Sequence, residues 1–184
     1  MIKSDLSSFN NDWYRPGSSV KRLLWYFFNV LFLLNPLNPF VGLKIFVLKM
    51  FGAKIGVGVI IKPKVSVKYP WKLEIGANTW IGENVWIDNL DVVKIGSNCC
   101  LSQGALLLSG NHNYKKKSFD LLVRPITIED GAWVGARAVV VQGVIMKTHS
   151  ILTVNSVATA NLEPYGIYQG NPAVKIRERI ISES

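Results

Sequence analysis

The sequence contains few cysteines and histidines. Its only cysteines are the adjacent Cys99 and Cys100, and it has two histidines, His112 and His149. Neighbouring residues on a strand point to opposite faces, so we expect no ordinary disulfide between the two thiols, which favours a reducing, cytoplasmic compartment. Two histidines cannot by themselves supply a three-histidine zinc site, and two adjacent cysteines have the wrong spacing for a zinc knuckle. We therefore expect no catalytic metal.

The sequence also lacks a long apolar run and an interdomain linker. The apolar stretch 23–34 is too short to span a bilayer and lies too far from the start for a usual signal peptide. No Ser/Gly-rich segment or charge block divides the chain. We expect an intracellular protein with one main domain and an N-terminal extension.

Acidic residues are scarcer than basic ones. Lys and Arg number 21 against 12 Asp and Glu, a formal net charge of +9. Such a charge favours anionic partners, which include nucleic acid, a membrane surface and phosphorylated small molecules. The only lysine run, 115–117, is short and has few aromatic neighbours, so we expect no nucleic-acid binding.

The N-terminal extension, residues 1–51, holds two apolar segments that predict helices, Ser19–Leu34 and Phe40–Phe51. Ser18 or Ser19 would cap the first. A helix that is apolar on nearly every side must be covered. Two alternatives stay open: packing on the main domain or a neighbouring subunit, and a peripheral contact with the inner membrane that the basic residues assist.

Residues 52–184 follow a six-residue period. Small or β-branched residues stand four positions after most of the repeated aliphatic ones, and this pattern predicts very short parallel strands joined by tight corners, three to a triangular coil. Asn78, Asn84 and Asn98 fall at corners that need a positive φ. The repeated aliphatic positions are Ile75, Ile81, Ile87, Ile95, Leu101, Leu107, Ile128, Val134, Val140, Met146, Leu152 and Ala158. The pattern resembles the hexapeptide-repeat superfamily, which implies an all-β main domain folded as a left-handed parallel β-helix, with the α-helical extension before it and a short C-terminal tail after it.

Chemistry is expected where the repeat fails. The step from Ile87 to Ile95 is eight residues, and the step from Leu107 to Ile128 contains a protruding loop at 108–125. His112 lies at the mouth of this loop, and a neutral imidazole can accept a hydroxyl proton. His149 sits at an ordinary corner, and we expect no catalytic role for it.

Four motifs resemble the sugar O-acetyltransferases: 81–84 (Ile-Gly-Glu-Asn), 109–114 (Ser-Gly-Asn-His-Asn-Tyr), 133–136 (Trp-Val-Gly-Ala) and 169–174 (Gln-Gly-Asn-Pro-Ala-Val). Three further segments resemble the colanic-acid biosynthesis group more closely: 51–56 (Phe-Gly-Ala-Lys-Ile-Gly), 69–73 (Tyr-Pro-Trp-Lys-Leu) and 170–179 (Gly-Asn-Pro-Ala-Val-Lys-Ile-Arg-Glu-Arg). The resemblance implies direct transfer from acetyl-CoA to a sugar hydroxyl in exopolysaccharide, capsule or O-antigen biosynthesis, within a homotrimer. The alternatives are N-acetylation of an amino-sugar nucleotide and a non-catalytic β-helix scaffold.

The resemblance also implies roles for individual residues. His112 would be the base, and Asp88, Asn89 and Asn111 would bind the acceptor. For acetyl-CoA, the resemblance implies that Trp133 flanks the pantetheine arm and that the backbone around Gly135 and Ala136 binds the thioester region. Thr159 would contact CoA, and Lys175 and Arg177 would bind its phosphates. Two departures matter: several relatives have Ser at Ala136, and a Lys often stands at Ala160.

Overall fold

The computed structural model describes residues 2–182, which form a triangular parallel β-solenoid with a helical cap at its N-terminal end. The three faces are three sheets whose short strands stack in parallel, except that the last strand of the second face is antiparallel to its neighbour. The first face consists of β1 (Lys54–Ile55), β4 (Leu73–Ile75), β7 (Val93–Ile95), β12 (Ile126–Ile128) and β15 (Ile145–Met146). The second consists of β2 (Ile60–Ile61), β5 (Trp80–Ile81), β8 (Cys100–Leu101), β13 (Trp133–Val134), β16 (Ile151–Leu152), β18 (Gly166–Gly170) and β19 (Ala173–Glu178). The third consists of β3 (Ser66–Val67), β6 (Trp86–Asp88), β9 (Leu106–Leu108), β14 (Val139–Val141) and β17 (Val157–Ala158).

The interior confirms the six-residue pattern. Each coil contributes one aliphatic side chain from each face, and equivalent residues of successive coils pair in register, as Ile55, Ile75 and Ile95 do on the first face. All twelve repeated aliphatic positions predicted from the sequence are buried. Their stacking removes a continuous apolar column from water, which is what stabilises strands of only two or three residues.

The corners confirm the predicted backbone. Asn78, Asn84 and Asn98 have φ values of 55°, 58° and 56°. His149 has a φ of 57° at an equivalent corner, where its ring stacks on Tyr165 with a centroid separation of 4.9 Å. His149 is therefore a corner residue in the structure as well.

All breaks in the repeat fall at one corner of the triangle, between the third and first faces. In the first coil the extra residues form a 3₁₀ turn, Pro70–Lys72; in the second they are residues 88–92. In the third coil the insertion is a β-hairpin of β10 (Gly110–His112) and β11 (Leu121–Val123). We call this corner, residues 68–72, 88–92 and 108–125, the insertion edge. The six-residue spacing from Ile75 onward indicated the second and third breaks but not the first, which precedes Ile75.

The helices close the open end of the first coil. A 3₁₀ turn, Leu6–Ser8, precedes α1 (Ser19–Phe28), which continues into a π-helical turn, Asn29–Leu33; α2 (Val41–Met50) follows. The Ser18 hydroxyl caps α1 by accepting from the Lys21 N–H. We call residues 19–50 the cap. No helix among residues 2–182 has the length and apolarity needed to cross a membrane.

The cap replaces the missing neighbour of the first coil. Trp25 Nε1 donates to the Val67 carbonyl at 2.8 Å, and the buried Lys44 Nζ donates to the Ile61 carbonyl at 3.2 Å. Trp25, Leu33 and other cap side chains join the same apolar cluster as the solenoid interior. The inner side of the cap thus packs on the main domain, the first of the two alternatives for these helices, and it covers strands that would otherwise be unpaired edges.

Candidate active site

The hairpin of the insertion edge carries His112. Asn111 pairs with Leu122, and His112 pairs with Leu121, in an antiparallel ladder. The break in the repeat predicted only a protruding loop here, because two three-residue strands joined by a turn are too short to give a clear periodicity in the sequence. The hairpin holds the backbone of His112 in a regular strand.

One hydrogen bond sets the tautomer of the neutral His112 ring. Nδ1 lies 2.8 Å from the carbonyl oxygen of Phe119. A carbonyl oxygen can only accept, so Nδ1 carries the proton and, in the neutral ring, Nε2 has a free lone pair. The imidazole also stacks on the Phe119 ring at 4.5 Å and 9°. The half-buried His112 is therefore an oriented imidazole with one nitrogen available as a base.

The N-terminal segment, residues 2–17, crosses the insertion edge and reaches His112. The Phe9 ring lies 5.8 Å from the imidazole, and Tyr14 OH donates to the Leu90 carbonyl at 2.6 Å. Asp5 donates its N–H to the Lys117 carbonyl at 2.9 Å and forms an ion pair with Lys117 at 3.2 Å. Sequence reasoning missed Phe9, because a single aromatic residue in a turn-prone segment gives no signal of a distant contact.

Asn89 holds the insertion edge together. Its Oδ1 accepts from the Tyr69 N–H at 2.9 Å, and its Nδ2 donates to the Tyr69 carbonyl at 2.6 Å. The residue is fully buried. Both ends of the amide are used, so the structure corrects the expectation that Asn89 faces the acceptor.

Asp88 and Asn111 also lie at the insertion edge, Asp88 almost buried and Asn111 exposed. Asp88 is 8 % exposed, with its carboxylate 3.1 Å from Lys68 Nζ, and it lies beside Leu108 on the third face. Asn111 is exposed, and its Oδ1 accepts from the His112 N–H at 2.7 Å. The insertion edge therefore holds a nearly buried carboxylate beside Lys68 and an exposed side-chain amide.

A groove on the second face brings together four of the six residues that the resemblance assigned to acetyl-CoA. Its volume is about 490 Å³, and its indole wall is held by a 2.8 Å hydrogen bond from Trp133 Nε1 to Ser102 Oγ. The four predicted residues that line it are Trp133, Gly135, Ala136 and Arg177. An apolar groove with one aromatic wall and one guanidinium suits a long thioester that carries phosphates.

The two backbone N–H groups predicted for the thioester differ. Gly135 N–H donates to the Leu152 carbonyl at 2.7 Å and is part of the solenoid ladder. A Cβ at Gly135 would lie 2.7 Å from the same oxygen, so glycine is required there by coil stacking. The Ala136 N–H has no acceptor within residues 2–182. The Gly135 N–H is thus used within the solenoid, although Gly135 lines the groove, while the Ala136 N–H remains a free donor there.

The structure does not bring Thr159 and Lys175 into the groove. Both are exposed or half-exposed outside its lining. Lys175 Nζ lies 2.5 Å from Glu178 on its own strand, and this hydrogen bond raises the pKa of the lysine. Only Arg177 of the predicted phosphate ligands reaches the groove, on a C-terminal hairpin that Arg179 anchors through the Gly131 carbonyl at 2.8 Å.

The cysteines lie as predicted for vicinal strand residues. Cys99 is buried and Cys100 is half-exposed, and both are free thiols. Burial raises the pKa of Cys99 to about 11, so it stays protonated near neutral pH. Among residues 2–182, no three His, Cys, Asp or Glu side chains lie together as a metal-ion cluster.

His112 and the groove lie on different sides of the same chain. The insertion edge joins the third face to the first, whereas the groove lies on the second face. In a triangular coil a face and the corner opposite to it are separated by the filled interior. One chain therefore does not bring the imidazole to its own groove.

No family model matches the sequence. The chain is 33 % identical over 181 residues to WcaF of Escherichia coli K12, which is provisionally named a colanic acid biosynthesis acetyltransferase. The match covers 97 % of this chain and 99 % of that protein. The chain belongs to the hexapeptide-repeat acetyltransferase family. It is also 28 % identical over 134 residues to the galactoside O-acetyltransferase of Escherichia coli K12, covering 71 % of this chain and 66 % of that enzyme.

A solved structure of this hexapeptide-repeat acetyltransferase family has the same fold. The VCA0836 acetyltransferase of Vibrio cholerae, solved in complex with acetyl-CoA, superposes with a TM-score of 0.81 at 20 % identity, covering 91 % of this chain and 93 % of that one. The predicted hexapeptide-repeat fold and the predicted resemblance to acetyltransferases are both confirmed.

Proposed function

We propose that this hexapeptide-repeat acetyltransferase transfers an acetyl group from acetyl-CoA to a sugar hydroxyl, with His112 as the general base. The observation that carries the proposal is the hydrogen bond from Nδ1 to the Phe119 carbonyl, which leaves Nε2 free to take a proton. A relative named for galactoside O-acetylation and a fold neighbour solved with acetyl-CoA support the donor and the acceptor class.

The chemistry needs no covalent enzyme intermediate. Nε2 of His112 takes the proton of the acceptor hydroxyl as its oxygen attacks the thioester carbonyl. The tetrahedral intermediate then collapses, its C–S bond breaks, and the leaving CoA thiolate takes the proton from the imidazolium. The products are the O-acetyl sugar and CoA, with His112 returned to its neutral form.

The groove on the second face is the proposed donor site. Trp133 would flank the pantetheine arm, with its indole held by Ser102. The free N–H of Ala136 would stabilise the oxyanion of the intermediate. Because residue 136 is alanine, this contribution comes from the backbone alone. Arg177 would pair with a phosphate group of CoA.

A trimer would unite the two halves of the site. The outward residues of the first face include Lys54, Glu74 and Lys94, whereas the second and third faces present apolar ladders. These ladders are Ile60, Trp80, Cys100, Trp133 and Ile151 on the second face, and Trp86, Leu106, Val139 and Val157 on the third.

Packing the third face of one copy against the second face of the next would cover most of both ladders and leave the groove beside Trp133 as a cleft between the copies. This arrangement sets the insertion edge of one copy beside the groove of its neighbour. Each acetyl transfer would then use His112 of one copy and Trp133 of another.

The acceptor would bind at the insertion edge, through the carboxylate of Asp88 and the amide of Asn111. The likeness to a protein named for colanic acid biosynthesis supports a sugar of a bacterial surface polysaccharide. Phe9 and the rest of the N-terminal segment would form one wall of this acceptor site.

The test is CoA release from acetyl-CoA with a panel of sugars, sugar nucleotides and amino-sugar nucleotides. In His112→Asn, the side-chain amide can still donate to the Phe119 carbonyl but offers no basic nitrogen. We expect acceptor-dependent kcat to fall by about 10²- to 10⁴-fold, while the matched variant His149→Asn retains activity. Equal activity in both variants would disprove the base role, acceptance of amines only would favour N-acetylation, and no binding of acetyl-CoA would favour a scaffold.

A further inference from the structure

The outer side of the cap is apolar and uncovered. Phe27 and Leu31 on the first helical segment are 54 % and 59 % exposed, and Phe46 on α2 is 64 % exposed. These residues lie opposite to the side that contacts the first coil, where Trp25 and Leu48 are buried. The remaining apolar residues exposed on the cap are Val20, Leu23, Leu24, Tyr26, Val30, Leu37, Phe40, Leu43 and Met50. Twelve exposed apolar side chains within residues 19–50 are more than the scattered surface apolar residues of a soluble protein, and such a concentration marks an interaction site.

Burial on α2 is inverted relative to a helix that faces water. Lys44 is fully buried and hydrogen-bonded to Ile61, while Phe46 and Met50 are 64 % and 52 % exposed. Burial lowers the pKa of Lys44, so enclosing it has a cost. A helix that places its lysine inside and its aromatic residue outside fits an apolar environment on its outer side.

The charge around the cap has a single sign. Residues 13–73 contain ten Lys or Arg and no Asp or Glu, while the rest of the chain holds the other 11 basic residues and all 12 acidic ones. Residues 13–73 therefore carry a formal net charge of +10, and the rest of the chain carries −1. Arg22, Lys49, Lys62 and Lys64 are exposed there, and none has an acidic partner within residues 2–182.

We propose that the cap docks on the surface of an anionic lipid bilayer. The exposed stripe around Phe27, Leu31 and Phe46 enters the boundary between head groups and acyl chains, and the basic residues beside it contact the acidic head groups. A second copy of the cap is the other apolar occupant. Its approach would bring two surfaces of the same charge together, which opposes association.

The test is sedimentation of the full-length protein with vesicles of phosphatidylcholine alone and of phosphatidylcholine mixed with phosphatidylglycerol. We expect binding to the mixed vesicles that weakens as salt is added. The double variant Phe27→Ser/Phe46→Ser should lower partitioning by about 100-fold or more, because each phenylalanine contributes about tenfold or more. Lys62→Gln/Lys64→Gln should lower it by about 25-fold, at about fivefold for each charge.

The matched control is Val174→Ser/Ile181→Ser, which removes two apolar side chains that are 61 % and 56 % exposed outside the cap. This control should bind vesicles as the wild type does. Failure of the wild type to sediment with anionic vesicles, or equal binding by the cap variant and the control, would overturn the proposal. A wild-type assembly that doubles in size and returns to normal in Phe27→Ser/Phe46→Ser, without vesicle binding, would assign the surface to a second copy instead. Turnover of a water-soluble acceptor should be unchanged in the cap variant, so this test is separate from that of His112.

Discussion

Two inactive variants should restore each other's activity when they assemble together. His112→Asn removes the base on the insertion edge and leaves the groove intact. Ala136→Glu adds bulk and a carboxylate to the groove, where it would obstruct the thioester and repel the developing oxyanion, and it leaves His112 intact. The structure places these residues on opposite sides of one chain, so each variant should supply the half-site that the other lacks.

The expected recovery follows from counting sites in a cyclic trimer. Each site takes His112 from one copy and its groove from the next. A complete site needs an Ala136→Glu copy, which supplies His112, followed by a His112→Asn copy, which supplies the groove. A mixed trimer holds either two copies of one variant or two of the other. In both cases this order occurs once around the ring. One site in three is then complete, and we expect about one third of the wild-type kcat per trimer.

The assay requires trimers that contain both variants. Co-expression with two different affinity tags and sequential purification on both tags yields them, and native mass spectrometry verifies their composition. Acceptor-dependent CoA release is then compared with that of each variant alone. Mixed trimers as inactive as their parents would refute the shared site, because a site within one chain gains nothing from mixing.

Two further predictions concern stability. Asn89→Ala should lower the free energy of unfolding in urea by about 2–4 kcal/mol, since it removes two buried hydrogen bonds to Tyr69 and leaves both backbone groups unpaired; the exposed Asn111→Ala should change it little, and equal losses would contradict the clamp. Burial lowers the pKa of Lys44 from 10.5, so the unfolded chain binds more protons than the folded one between the folded-state pKa and 10.5. The free energy of unfolding of the wild type should therefore rise with pH through that window. Lys44→Met should lack this rise, and identical pH dependence in both proteins would show that Lys44 is not its source.

The fold was predictable because a solenoid is encoded locally. A coil uses the same inward positions as its neighbours, so the spacing of Ile75, Ile81 and Ile87 in one coil predicts the inward residues of the next. These are Ile95, Leu101 and Leu107. The corners were predictable for a similar reason, since a positive φ favours Asn at Asn78 and Asn98. Periodicity also identified the long insertion that carries His112.

The roles of several other residues depend, in contrast, on which side chains and backbone groups lie next to them in the folded structure. Asn89 stands at a break in the repeat and was expected to face the acceptor, yet the coil beneath it presents Tyr69 to its amide. Lys175 has the right charge for a phosphate, yet Glu178 on the same strand takes it out of the groove. Both outcomes depend on which partner lies nearest in space.

The sequence by itself determined the architecture, the buried aliphatic columns and the candidate base. Only the tertiary structure decided that all insertions share one edge, that Phe9 reaches His112, that the cap buries Lys44 and exposes Phe46, and that the base and the groove lie on opposite sides of a chain. The physical reason is that the repeat is written in short-range spacing, whereas each of these features is a contact, or a separation, between segments that only the winding of the coils brings into register.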